Sequence, residues 1–174
     1  MHFFTFGEKD TTLYQNSGSL NAGLDEILEI RKEVSDSGDT INVSRVLIRF
    51  NISQISASIG NGTITNPSFY LNLFDAKSSN LNTSQSIFAY PVSQSWTMGQ
   101  GRSYDNPQTT DGASWNFRFG EDDGTLWERT VSASGCTWFS GSGYEASHSI
   151  GHETVDVRMD VTDIMNKWLE GTKK

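Results

Sequence analysis

Strict two-residue alternation is the feature that most constrains this chain. Val155-Asp156-Val157-Arg158-Met159-Asp160-Val161 puts its apolar side chains on one side of an extended backbone and its charged ones on the other. A helix would scatter these residues around its circumference. A strand sorts them into a buried and a solvated face, as antiparallel sheets do. The pattern recurs in Val43 to Phe50, with Val46, Ile48 and Phe50 opposite Arg45 and Arg49. In Phe69 to Phe74 it sets Phe69, Leu71 and Leu73 against Tyr70, Asn72 and Phe74, and in Ala113 to Phe119 it groups Trp115, Phe117 and Phe119. Thr11 to Tyr14, Glu26 to Lys32, Ser86 to Ser93, Leu126 to Val131 and Gly135 to Phe139 are further strand candidates.

Turn-forming stretches separate these segments: Asp36 to Asp39, Gly60 to Gly62, and Asp75 to Ser84. The longest runs from Met98 to Asp111, a length at which loops often serve binding or assembly. One helix is expected near the end, where Thr162 can cap Asp163 to Leu169 and Gly171 can stop it. Ile164, Met165, Trp168 and Leu169 then share a side. Short strands in this number with one short C-terminal helix predict an all-β chain, an antiparallel β-sandwich of the jelly-roll kind, with residues 1–174 as a single domain.

Thirteen Lys and Arg against twenty-one Asp and Glu leave a net charge of −8. The scattered basic residues offer no track for a phosphate backbone and no attraction to an anionic bilayer, so neither nucleic acid nor a membrane is expected as partner. No apolar run is long enough to cross a bilayer, and Met1 to Glu8 lacks the basic start and apolar stretch of a secretory signal. The expectation is synthesis in the cytoplasm. The lone cysteine, Cys136, reads as a buried, inert thiol.

Catalytic patterns are missing from the sequence: there is no phosphate-binding loop, no dinucleotide fingerprint and no nucleophile elbow. His148 and His152 stand four apart without the zincin order, and Gly151 between them argues against a helix, so they read as loop histidines. Glu121-Asp122-Asp123 reads as a solvated acidic turn. The alternative is a structural Ca²⁺ held with Asp105 and Asp111, although the spacing of an EF-hand loop is missing. No catalytic residue, metal ligand or cofactor is assigned. The aromatic set carries the binding candidates: Trp96, Trp127 and Tyr144 flank loops and could stack sugar rings, while Trp115 and Trp168 lie on apolar faces and read as core. Candidate protein contacts are Phe3, Phe4 and Phe6 near the start, with Gly99, Arg102 and Tyr104 of the long loop.

The order of several segments resembles the DNRLRE-type jelly-roll domains, which are themselves similar to carbohydrate-binding modules. The segments are Asp10 to Tyr14, Glu26 to Ile30, Ser44 to Ser53, Phe69 to Phe74, Val92 to Trp96, Asp111 to Trp115 and, most specifically, Asp160-Val161-Thr162 through Trp168-Leu169-Glu170-Gly171. The overall style is similar to virion structural proteins of tailed phages, those of cyanobacterial hosts in particular. The resemblance implies a non-enzymatic particle component of head, neck, tail or fibre, located in the virion. Its partners would be other virion proteins or copies of itself, with recognition of a host-surface glycan as the alternative. It also implies a closing strand after the helix. The sequence shows none before Lys174, so either a longer chain or a strand donated by a neighbour is expected.

Overall fold

A computed structural model describes residues 2–34, 38–77, 84–128, 135–151 and 156–170. The chain divides into two compact units, each assembled from two stretches. One comprises Met1–Asn51 with Val92–Thr137, the other Ile52–Pro91 with Trp138–Lys174.

In the first unit, β1 (Gly7–Tyr14), β2 (Lys32–Val34) and β3 (Ile41–Phe50) form a sheet in the order β1-β3-β2. β3 pairs antiparallel with both neighbours, from Thr11↔Leu47 to Tyr14↔Ser44 on one side and Lys32↔Val43 to Val34↔Ile41 on the other. The register slips between Gly7 and Lys9, a bulge beside which Glu8 meets Arg49.

β3 does not sort into the one buried and one solvated face that its alternation suggests, since its buried residues, Ser44 and Leu47, lie on opposite faces. Leu47 is buried while Val46, Ile48 and Phe50 are only partly covered. The reason is Arg45. Its guanidinium lies 4.8 Å from the Trp115 ring centre, and its Nη1 donates to the Gly135 carbonyl at 2.6 Å. A long cationic side chain stacked on an indole can share a face with the core.

That core gathers Leu13, Leu47, Trp96, Ala113, Trp115, Trp127 and Cys136, with Val43, Val92 and Met98 packed against it. Most of its aromatic mass comes from segments without regular secondary structure. Ala113 to Phe119, expected as a strand, instead folds back on itself. Ser114 N–H donates to the Phe117 carbonyl at 2.8 Å, Asn116 N–H to Gly18 at 2.9 Å, and only Phe117 bridges to Leu126. Glu26 to Arg31 is likewise irregular, the strand beginning at Lys32. Gly135 to Phe139 forms no strand, because Gly135 and Cys136 both take left-handed backbone angles, +90° and +84°.

The second unit holds α1 (Ile52–Gly60), β4 (Tyr70–Leu73), β5 (Gln85–Ala89), β6 (Ala146–Ile150), β7 (Val157–Asp160) and α2 (Thr162–Leu169). β4 pairs antiparallel with β7, and β5 with β6. Here the alternation reads true. Leu71 and Leu73 with Val157, Met159 and Val161 face the core, joined by Ile87, Ala89, Ala146 and Ile150.

Two differences concern helices. α1 was not expected; Ile52, Ile55 and Ile59 recur at helical spacing and form its half-buried side, which ends at Phe50 the strand that the resemblance carried to Ser53. α2 lies where expected and buries Ile164 and Met165, but Thr162 does not cap it. The Thr162 hydroxyl instead accepts from Phe69 N–H at 2.9 Å, and the Asp160 carboxylate accepts from Thr162 N–H at 2.9 Å. The chain is thus all-β in class, with antiparallel sheets and two short helices.

Candidate functional site

The long loop of the first unit is built around one buried amide. Asn21 is fully buried, and its Nδ2 donates to the carbonyls of Met98 (2.7 Å) and Ala113 (3.0 Å). Its Oδ1 accepts from Gly101 N–H (2.8 Å) and Gly23 N–H (3.3 Å), while its own N–H donates to Thr109 (3.0 Å). One side chain thereby satisfies the start, middle and base of the loop, where irregular backbone would otherwise be buried without partners. Gly99 has to be glycine here: its φ is +79°, and a Cβ would overlap the Asn21 carboxamide.

From this base the loop projects a turn. Arg102 N–H donates to Asp105 Oδ2 at 2.8 Å, Thr109 Oγ1 to the same oxygen at 2.7 Å, and Ser103 N–H to Asp25 Oδ1 at 3.0 Å. The Thr109 hydroxyl, then the Arg102 N–H, hold the Asp105 carboxyl below the usual range. The Asn106–Pro107 bond is cis. At the tip Tyr104 is 69% exposed, whereas Arg102 is half-buried.

The N-terminal segment before β1 carries Phe3, Phe4 and Phe6 at 51, 82 and 86% exposure. Of the contact candidates, then, Phe3, Phe4, Phe6 and Tyr104 are presented to solvent, and Gly99 and Arg102 serve the loop's own structure.

The sugar-stacking candidates fare differently. Trp96 (6% exposed) and Trp127 (2%) are core residues, and Trp127 Nε1 donates to the Ser114 carbonyl at 2.9 Å. Neither offers a face to a ligand, because both close the hydrophobic cluster over β1 and β3. Tyr144 belongs to the second unit, half-buried against Phe139 (5.8 Å between ring centres) with Lys167 Nζ 4.7 Å above it. The structure does not bring the three together as a platform.

It assembles another aromatic row that sequence reading missed. On β5, Ile87 and Ala89 turn inward and leave Phe88 on the outward side, with Tyr90 just past the end of the strand. Phe88 and Tyr90 are 6.5 Å apart at 18°, and Trp138 continues the row 5.7 Å from Tyr90 at 36°. Phe88 is 53% and Trp138 37% exposed. Tyr90 Oη donates to Glu145 Oε2 at 2.6 Å, a bond that raises the phenol's pKa. The signal available in sequence was Phe88 and Tyr90 alternating with the aliphatic Ile87 and Ala89. Trp138, far along the chain, joins them only through the fold.

Asn16, Ser17, Gly18, Ser19, Gln108, Thr110 and Glu121 line an open, mostly polar depression of about 470 Å³. Among the described residues no cluster of three His, Cys, Asp or Glu side chains could hold a metal ion. Asp105 and Asp111 are engaged within the loop, Asp111 accepting from Gln100 N–H at 2.9 Å. His152 lies outside the described residues. Cys136 is buried, and burial pushes its thiol up to about 12. No helix among the described residues is long and apolar enough to cross a membrane. No protein-family model matches the chain, and neither curated proteins nor solved structures include a match.

Proposed function

We propose that this chain is a non-enzymatic structural component of a tailed-phage particle, a jelly-roll sandwich that acts through protein–protein contacts. The observation that supports this reading best is the apolar segment ahead of β1, where Phe4 and Phe6 are 82 and 86% exposed. Covering such a side chain is worth about 1.5–3 kcal/mol, so three in one short segment favour a partner surface strongly. Tyr104 is the second contact. It stands on a turn already fixed by hydrogen bonds, so docking it orders little further chain, and tyrosine is favoured at interfaces. The particle setting rests on the resemblance of Asp160 to Gly171 and of the strand order.

Quantitative peptide mass spectrometry of purified particles, with the major shell protein as internal standard, tests the reading. Copy number near that of the shell protein supports a head component, and a few copies per particle support neck, tail or fibre. Absence from particles overturns the proposal.

A further inference from the structure

The open edge of the β1-β3-β2 sheet, we infer, binds a second copy of this chain, β2 pairing antiparallel with β2 of the other molecule across a two-fold axis at Lys32. The surface involves none of Phe4, Phe6 and Tyr104, so the inference does not rest on the contacts proposed above.

β2 ends its sheet, and no other strand flanks it among the described residues. The direction of its backbone groups follows from β3. Arg31 N–H donates to Ser44 Oγ at 2.7 Å and the Arg31 carbonyl accepts from Ser44 N–H at 2.9 Å, so Arg31 turns its main chain toward β3. Val43, opposite Lys32, turns away from β2: its N–H donates to Gln15 Oε1 at 3.0 Å and its carbonyl accepts from Gln15 N–H at 3.1 Å. Main-chain groups alternate in direction along an antiparallel strand, so those of Ile30, Lys32 and Val34 point outward from the edge. Such a row is a template for one more strand. Apolar side chains accompany it. Val34 pairs with Ile41 on the same side of the sheet as Val43, which packs on the core, yet Val34 is 59% and Ile41 50% exposed. Ile30, 51% exposed, falls on that side by alternation.

The charges select the occupant. An added strand has to set outward groups against outward groups, so the even-numbered residues of one β2 face the even-numbered residues of the other. Placing Lys32 against its own symmetry mate puts Arg31 opposite the second copy's Glu33 and Glu33 opposite its Arg31, with Ile30 opposite Val34 on either side of the axis. Sliding the pair to the next such register sets Glu33 against Glu33 in one direction and Arg31 against Arg31 in the other. One register therefore joins opposite charges and apolar side chains at once, and self-complementarity of this kind is what a two-fold interface requires. Arg31 already lies 3.5 Å from Glu29 and 3.2 Å from Glu33 of its own chain, so its guanidinium is held at this edge before docking. Lysine often guards a sheet edge. Here the two Lys32 side chains are exposed and long enough to lay their stems along Ile30 and Val34 and keep their ammonium groups apart in water.

Sedimentation equilibrium of the full chain tests this. A dimer with a dissociation constant of about 10–100 μM is expected for so small an interface. Each substitution acts at both symmetric pairs, so Arg31→Glu and Glu33→Arg should each weaken it about tenfold. Equal amounts of these two variants, mixed, should form a heterodimer about as tight as the original dimer, because both opposite-charge pairs return. Val34→Pro removes an outward N–H and spares the bonds to β3, so it should abolish the dimer even if a charge variant fails to fold. Phe4→Ser should leave dimerisation unchanged. A chain that stays monomeric overturns the inference, as does a dimer that survives Val34→Pro, or one weakened by both charge substitutions and not recovered on mixing. A dimer lost in Phe4→Ser belongs to the N-terminal segment and equally overturns it.

Discussion

Replacing Asn21 with alanine tests whether one buried amide organises the loop that presents Tyr104. The side chain makes four hydrogen bonds, to Met98, Ala113, Gly101 and Gly23, and the first three are 3.0 Å or shorter. A hydrogen bond of this kind contributes about 1 kcal/mol net, and a buried group left without a partner costs about 1–3 kcal/mol. Three good bonds lost, with partial relief from entering water, give about 4 kcal/mol, near the upper end for single substitutions.

Urea unfolding followed by the fluorescence of buried Trp96, Trp115 and Trp127 measures this, since all three lie in the same cluster. Hydrogen exchange should show lost protection at Gly101 N–H, the donor to Asn21 Oδ1. Asn21→Asp keeps the two acceptors but sets a carboxylate against two carbonyls, which raises that carboxyl's folded pKa above its unfolded value. Its penalty is therefore full at neutral pH and lifts as pH falls through the folded pKa. A loss below about 1 kcal/mol for Asn21→Ala, with Gly101 still protected, would refute the argument.

Trp127→Ala should destabilise by about 3–5 kcal/mol while leaving surface chemistry untouched, because the indole is core; a folded variant of unchanged melting temperature would contradict its placement. The Cys136 thiol, pushed up to about 12 by burial, should resist disulfide reagents in the native protein and react fully in urea, and rapid native labelling would show the burial to be wrong. Asp10 has its pKa raised by burial, so its ionised form opposes folding above that pKa and the penalty lifts as pH falls through it. Asp10→Asn should accordingly raise stability at neutral pH by a few tenths of a kcal/mol, about the size for a partly exposed, screened group, and the gain should vanish in acid.

How much of this was legible in the sequence depended on what each residue's face had to satisfy. β4 and β7 could be read because their alternation separates aliphatic from polar side chains and the fold uses it directly. In β3 the alternation misled, since Arg45 buries its stem and guanidinium against Trp115 and so shares the core side with Leu47. Ala113 to Phe119 alternates as well, but Ser114 and Asn116 spend their backbone hydrogen bonds on Phe117 and Gly18 rather than on a neighbouring strand. α1 is serine-rich, and only the recurrence of Ile52, Ile55 and Ile59 marked it. For the surfaces, exposure of Phe3, Phe4, Phe6 and Tyr104 agreed with position outside the alternating segments. The row of Phe88, Tyr90 and Trp138 was out of reach, because a tertiary contact completes it.

The central claim is that the chain works through contacts made by its N-terminal segment and loop tip. The most direct measurement places the photoreactive residue p-benzoylphenylalanine at Phe4 or Tyr104, with exposed Thr63 as control, in chains carried into assembled particles. The account predicts cross-links from both positions to another particle protein or a second copy, and none from the control. Cross-linking at Phe4 and Tyr104 no stronger than at Thr63 would contradict it.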